Sequence, residues 1–132
     1  MNSHLPPPVR LLVDLAWRTD WRVFAAISAS LALLVALPLL LYPDVYSVGR
    51  NYDTLKSWAP QATWGMLLGI PALVTLGFLH RPVARLGILG VMVALGVITA
   101  GFLLSVGPSP ASLLHCANVT LAFWAYVRSG RE

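Results

Sequence analysis

The sequence predicts an all-α protein, an integral membrane four-helix antiparallel bundle preceded by a short N-terminal amphipathic segment. Three observations carry that expectation. Of the 132 residues, 58% are hydrophobic and 11% charged, whereas water-soluble domains run near half apolar and about a quarter charged. The charges are also distributed very unevenly. Residues 23–43, 57–80 and 86–127 contain no Asp, Glu, Lys or Arg, and a helix needs about 20 apolar residues to cross the hydrocarbon core of a bilayer. Finally, every Trp and Tyr falls near an end of one of these stretches. That is where an amphipathic ring finds the headgroup layer.

Residues 1–22 form a cytoplasmic lead. Pro6-Pro7-Pro8 is expected to be extended, with a helix from about Val9. There Leu11, Leu12, Leu15 and Ala16 alternate with Arg10, Asp14 and Arg18 at helical spacing, the pattern of a segment lying on a membrane surface. The first two charge-free stretches each fit one span, at about 23–42 and 62–79. The third is too long for one and is broken by Gly107-Pro108-Ser109-Pro110, a strong turn signal. It gives spans at about 86–106 and 111–127, with 128–132 as a tail. The fourth is the shortest and carries His115, Asn118 and Thr120; a re-entrant segment is its structural alternative. The first reads as a retained span, not a signal peptide, because its apolar run is long and no A-x-A site follows before Asp44.

Arg10, Arg18, Arg22, Arg81, Arg85, Arg128 and Arg131 then share one side of the membrane, against Arg50 and Lys56 on the other. The positive-inside bias places both ends in the cytoplasm. It also accounts for the net charge of +4 without a nucleic-acid partner. Trp17, Trp21 and Trp124 are expected as anchors at the inner boundary, Trp58 and Trp64 at the outer one. The loop from Pro43 to Gln61 holds Asp44, Arg50, Asp53 and Lys56, with a short helix expected around residues 52–58.

No catalytic constellation emerges. The spans carry no carboxylate, which excludes proton-coupled exporters of the small multidrug class. His80 and His115 are expected at opposite faces, roughly 25–30 Å apart, too far to share a haem or metal. A single cysteine, Cys116, rules out a CxxC redox pair or an internal disulfide. Ser105, Ser109 and Ser112 have only His115 nearby and no carboxylate to complete a triad. No enzyme activity, cofactor or metal is expected.

The spans instead carry packing chemistry. Gly65 and Gly69 form a G-x-x-x-G, and Gly90/Ala94 and Gly96/Ala100 repeat small-x-x-x-small spacing, as do Ala25/Ala29, Ser28/Ala32 and Ala32/Ala36. Such pairs let helix backbones approach closely, within or between chains. Pro38 and Pro71 lie inside spans and predict kinks. Asn118 and Thr120 are expected as buried polar contacts. The expected partners are the lipid bilayer and either further copies of the chain or another membrane protein.

From Tyr52 through Leu79 an aromatic, a short polar helix, Ala59-Pro60 and then Trp64-Gly65 open a glycine-containing span; Arg18-x-x-Trp21-Arg22 leads into the first span. About half the chain thereby resembles small membrane proteins of tailed bacteriophages and prophages. That resemblance implies a phage or mobile-element context and assigns no catalytic residue; the expected location is the bacterial inner membrane. The functional expectation is a holin-like, pore-forming protein that self-assembles through its small-residue faces. Two alternatives stand beside it. One is a non-enzymatic accessory or superinfection-exclusion protein acting through a partner. The other is a small channel or transporter with a path near Pro71, Thr75, Asn118 and Thr120.

Overall fold

A computed structural model of the chain describes residues 4–47 and 49–131. Among these, the regular structure is entirely helical. It comprises α1 (Pro7–Arg18), α2 (Trp21–Leu41), a 3₁₀ turn (Val45–Ser47), α3 (Asp53–Trp58), α4 (Gln61–Gly77), α5 (Val83–Val106) and α6 (Pro110–Ser129). Two of these, α2 and α5, are long and apolar enough to cross a membrane, and α4 is apolar but shorter.

α2, α4, α5 and α6 pack in a ring, in the order α2–α4–α5–α6 and back to α2. Contacts along each seam fix antiparallel neighbours. Gly65 of α4 lies against Leu40 of α2 and Gly69 against Ala36, while at the far end Arg22 Nε donates to the Leu79 carbonyl at 3.2 Å. Gly87 and Gly90 of α5 face Thr75 and Pro71 of α4. Phe102 and His115 meet edge to face at 4.9 Å, and Arg85 Nε donates to Ser129 Oγ at 3.2 Å, so α6 runs back along α5.

Local chemistry sets the ends of these helices. The Asp20 carboxylate accepts from Arg22 N at 3.0 Å and caps α2. Gly107 takes φ +71° where α5 stops, a conformation glycine adopts without strain. Ser109 and Ser112 then form a reciprocal capping box, with Pro110 in the first turn of α6. At the start of the chain the expectation of an extended triple proline is corrected, because α1 already begins at Pro7. The first helical N–H groups lack partners in any helix, so a proline there forfeits nothing and its fixed φ suits the turn.

The loop end is held by one side chain that sequence patterning did not single out. Leu39 is followed four positions later by Pro43, which has no N–H, so the Leu39 carbonyl loses its helical donor. Gln61 Nε2 supplies that donor at 2.9 Å and also reaches the Tyr42 carbonyl. Its Oε1 accepts from Val45 N at 2.9 Å. Beside it, α3 covers α5: Leu55 is fully buried, and Trp64 Nε1 donates to the Leu55 carbonyl at 3.2 Å.

Residue sizes sort in an unusual way. The inner face of α2 is Ala25, Ala29, Ala32 and Ala36, each with no exposed surface. Leu34, Leu41, Leu73, Leu86, Leu104 and Leu114 point outward.

Candidate functional site

The small-residue pairs do different jobs. A methyl group on Gly65 would come within 2.7 Å of Leu40 Cγ, and one on Gly69 would touch Ala36 at 3.5 Å. The G-x-x-x-G is therefore occupied by α2 of the same chain. Gly90 faces the Pro71 ring, with an added methyl 2.8 Å from its Cβ, and Ala94 is buried beside it. Gly96 has open space around it, and Ala100 is exposed. Of the pairs singled out on α4 and α5, Gly96/Ala100 alone faces away from the bundle.

Two glycines that spacing did not flag are packed more tightly. An added methyl on Gly87 would sit 2.5 Å from Thr75 Oγ1 and 2.9 Å from Thr75 N, and one on Gly101 2.5 Å from Leu55 Cδ2. Both lie where α5 meets something broad: the backbone of α4 beside Pro71 and the knob that α3 inserts. Gly101 begins a small-x-x-x-small pair with Ser105 that could have flagged it, whereas Gly87, between Val83 and Val91, has no small partner four residues away.

Pro38 and Pro71 lie within α2 and α4, and both helices continue through them. Asn118 is buried, and Ser28 Oγ donates to its Oδ1 at 2.7 Å, tying α6 to α2. Thr120 departs from the expectation of a buried polar contact: it is exposed, and its hydroxyl donates to the Cys116 carbonyl one turn back. Thr75 is buried with its hydroxyl on the Pro71 carbonyl at 2.8 Å. Pro71 and Thr75 thus serve the α4–α5 seam, Asn118 the α2–α6 seam and Thr120 the exterior.

The tryptophans divide similarly. Trp17 and Trp58 are about half exposed, whereas Trp21 and Trp64 are buried at 6% and 7%. They sit at opposite ends of the bundle, Trp21 where α2 begins and Trp64 beneath α3, bonded to the Leu55 carbonyl. Trp124 meets Trp17 edge to face at 5.1 Å.

At the loop end, Tyr46, Tyr52, Phe102 and His115 form a chain of ring contacts. The Tyr46 hydroxyl donates to the Ala59 carbonyl at 2.9 Å. Burial raises the pKa of both tyrosines above the ordinary 10.0, and their mutual repulsion adds to the effect at Tyr46. Phenols whose pKa is higher in the folded state contribute stability that is present below about pH 10 and lost as pH rises through the raised values. Tyrosinate absorbance at these two positions should therefore appear only above pH 10, together with loosening of α3; ionisation below 10 with α3 intact would contradict the packing.

The polar groups are spent on structure. Ser109 and Ser112 bond each other. Ser105 Oγ donates to the Gly101 carbonyl or Thr54 Oγ1, each at 2.8 Å, and accepts from Thr54 N at 2.9 Å. Among the described residues no three His, Cys, Asp or Glu side chains gather closely enough to hold a metal ion.

Cationic chemistry concentrates at the opposite end, where α2 and α5 begin and α4 and α6 finish. Arg128 is 8% exposed. Its Nη1 donates to the Ala16 carbonyl at 2.7 Å, and its guanidinium lies 5.4 Å from the Trp17 ring. It thereby docks α1 onto α6 and places a cation at the negative pole of α1. Arg85 lies 4.7 Å from the Tyr126 ring. Arg22 pairs with Asp20 at 3.3 Å. Comparisons with protein-family models, with curated proteins and with solved structures give no match.

Proposed function

We propose that the chain is a four-span protein of the bacterial inner membrane, N-in and C-in, acting as a non-enzymatic accessory protein closed across the bilayer. One observation carries this reading: large apolar side chains, among them Leu34, Leu41, Leu73, Leu86, Leu104 and Leu114, face outward on all four ring helices, while small residues bring the backbones close along the α2–α4 and α4–α5 seams. In water, an apolar exterior of that extent would drive association. In lipid it is solvated, and close approach of small residues is what holds helices together.

The polarity of α6 fits the same reading. His115, Asn118 and Ser112 are buried against its neighbours, whereas Leu113, Leu114 and Phe123 are exposed. α2 packs against both α4 and α6, which supports a retained span. α1, with Leu11, Leu12 and Leu15 exposed, is suited to lie in the inner leaflet. The resemblance of Tyr52 through Leu79 to small phage and prophage membrane proteins supports a phage or mobile-element setting for this role.

The accessory reading is preferred to the holin-like one because Gly65 and Gly69, the strongest association motif, are occupied within the chain. A specific observation keeps pore formation as the second reading: the outward pair Gly96/Ala100 offers a surface on which copies of α5 can approach. Membrane potential and dye entry after inducing this chain alone in bacteria separate the two. The accessory reading expects an intact barrier at full expression. Prompt collapse, abolished by Gly96→Leu, would replace it with a self-assembled pore.

A further inference from the structure

The cationic end of the bundle contains a cavity of about 330 Å³ lined by Trp21, Arg22, His80, Arg81, Pro82, Arg85 and Ser129. Three arginines and a histidine thus meet in one recess, with no carboxylate among the described residues of its wall. Two of the arginines are held in place by the fold. Arg22 is fixed by Asp20 and the Leu79 carbonyl, and Arg85 by Ser129 and the Tyr126 ring. Arg81 differs: among the described residues its guanidinium has no hydrogen bond or ion pair. A guanidinium carries five donors in a planar fork suited to phosphate oxygens. α5 also starts at this rim without a side-chain cap, so its positive pole adds to the same field.

A second cavity adjoins the first and shares His80, Arg81 and Pro82 with it. Its remaining wall is Leu76, Gly77, Phe78, Leu79 and Val83, and Phe78 and Val83 are exposed beside it. A cationic recess is thus continuous with an apolar wall on the outside of α4 and α5. Free phosphate has no use for that wall. A diacyl phospholipid matches both halves, and basic pockets between membrane helices on the cytoplasmic side are suited to anionic headgroups.

We infer that this recess, built by Arg22, His80, Arg81 and Arg85, is a binding site for the phosphodiester headgroup of an anionic phospholipid, whose acyl chains run along the α4–α5 exterior. The inference rests on the membrane reading above. The phosphate is held by Arg81 and the free edges of Arg22 and Arg85. A zwitterionic lipid is disfavoured because its ammonium would face the same cations.

The test is lipid retention by the full chain, purified in detergent, titrated with phosphatidylglycerol or phosphatidylcholine and read by native mass spectrometry. Phosphatidylglycerol should bind preferentially. Arg81→Gln should weaken it roughly fivefold, as expected for one cation at a membrane surface, and Arg81→Gln/Arg85→Gln should weaken it further. Arg50→Gln/Lys56→Gln, which removes two charges at the opposite end, should leave it unchanged. Arg81 is exposed, so its variant tests the site even if the double variant does not fold. Equal retention of the two lipids, or equal loss in the Arg50/Lys56 control, would overturn the site. Displacement by millimolar inorganic phosphate would reassign it to free phosphate and overturn the lipid source. A chain that stays soluble and monodisperse without detergent would instead overturn the membrane reading itself.

Discussion

Gly87→Leu should be among the most damaging single substitutions in this protein, lowering stability by about 3 kcal/mol or more, at the upper end of the cost of overpacking a tight core. The first added carbon would meet Thr75 Oγ1 at 2.5 Å, Thr75 N at 2.9 Å and the Pro71 carbonyl oxygen at 3.1 Å. Two of those atoms are backbone and cannot swing aside, so α4 and α5 must separate. Gly96→Leu on the same helix is the control. An added carbon there meets nothing within 4 Å, and replacing a mid-helix glycine removes an entropic cost of about 0.5–1 kcal/mol. It should be neutral or mildly stabilising. Thermal unfolding in detergent, followed by circular dichroism, checks both. Equal effects at the two glycines would contradict the assignment of α5's buried and outward faces.

Arg128→Ala should release α1 from the bundle while leaving the four-helix ring assembled. The substitution removes a charged donor to the Ala16 carbonyl and ring contacts with Trp17 and Trp124. A hydrogen bond involving a charged group is worth about 1.5–3 kcal/mol, and α1 itself buries no residue; the Trp17 contacts with Trp124 and Arg131 remain after the substitution. Hydrogen exchange across Pro7–Arg18 should accelerate by one to two orders of magnitude, roughly what that energy corresponds to, with exchange in α2 and α5 unchanged. Unchanged protection of α1 would show that it is held by something other than this arginine.

How much of this was legible in the sequence depends on the range of the interaction. Helix positions follow from where charges stop and turn residues begin, both local properties; α4, α5 and α6 therefore start and end within a few residues of the stretches marked by Lys56, Arg81 and Gly107. The polar α6 was the least regular segment by composition because hydropathy averages over a helix and ignores direction. His115 and Asn118 are compatible with an apolar exterior only because both turn inward.

Seam partners were not legible. The spacing of Gly65 and Gly69 announces close approach but does not say to what, and the neighbour is α2 of the same chain. Gly87 has no small partner at helical spacing, and the Gly101/Ser105 spacing does not say that its neighbour is Leu55 of α3. Gln61 looked like an ordinary loop residue. Its role appears only once Pro43 has removed the donor for Leu39 and the fold has brought α4 alongside. Trp21 and Trp64 read as interface anchors because aromatic rings at helix ends usually are, yet packing against neighbouring elements buries both.

Four crossings of the membrane by α2, α4, α5 and α6 are open to site-directed labelling with a membrane-impermeant maleimide. In intact bacteria, with Cys116→Ala as background, Ser57→Cys and Pro108→Cys should react from outside. Arg81→Cys and Gly130→Cys should react only after the cells are broken. Pro108→Cys is the decisive position because it lies between α5 and α6, and its labelling from outside requires both to cross. If Pro108→Cys reacts only after breakage, or if all four variants are recovered in the soluble fraction, the four-span architecture is wrong.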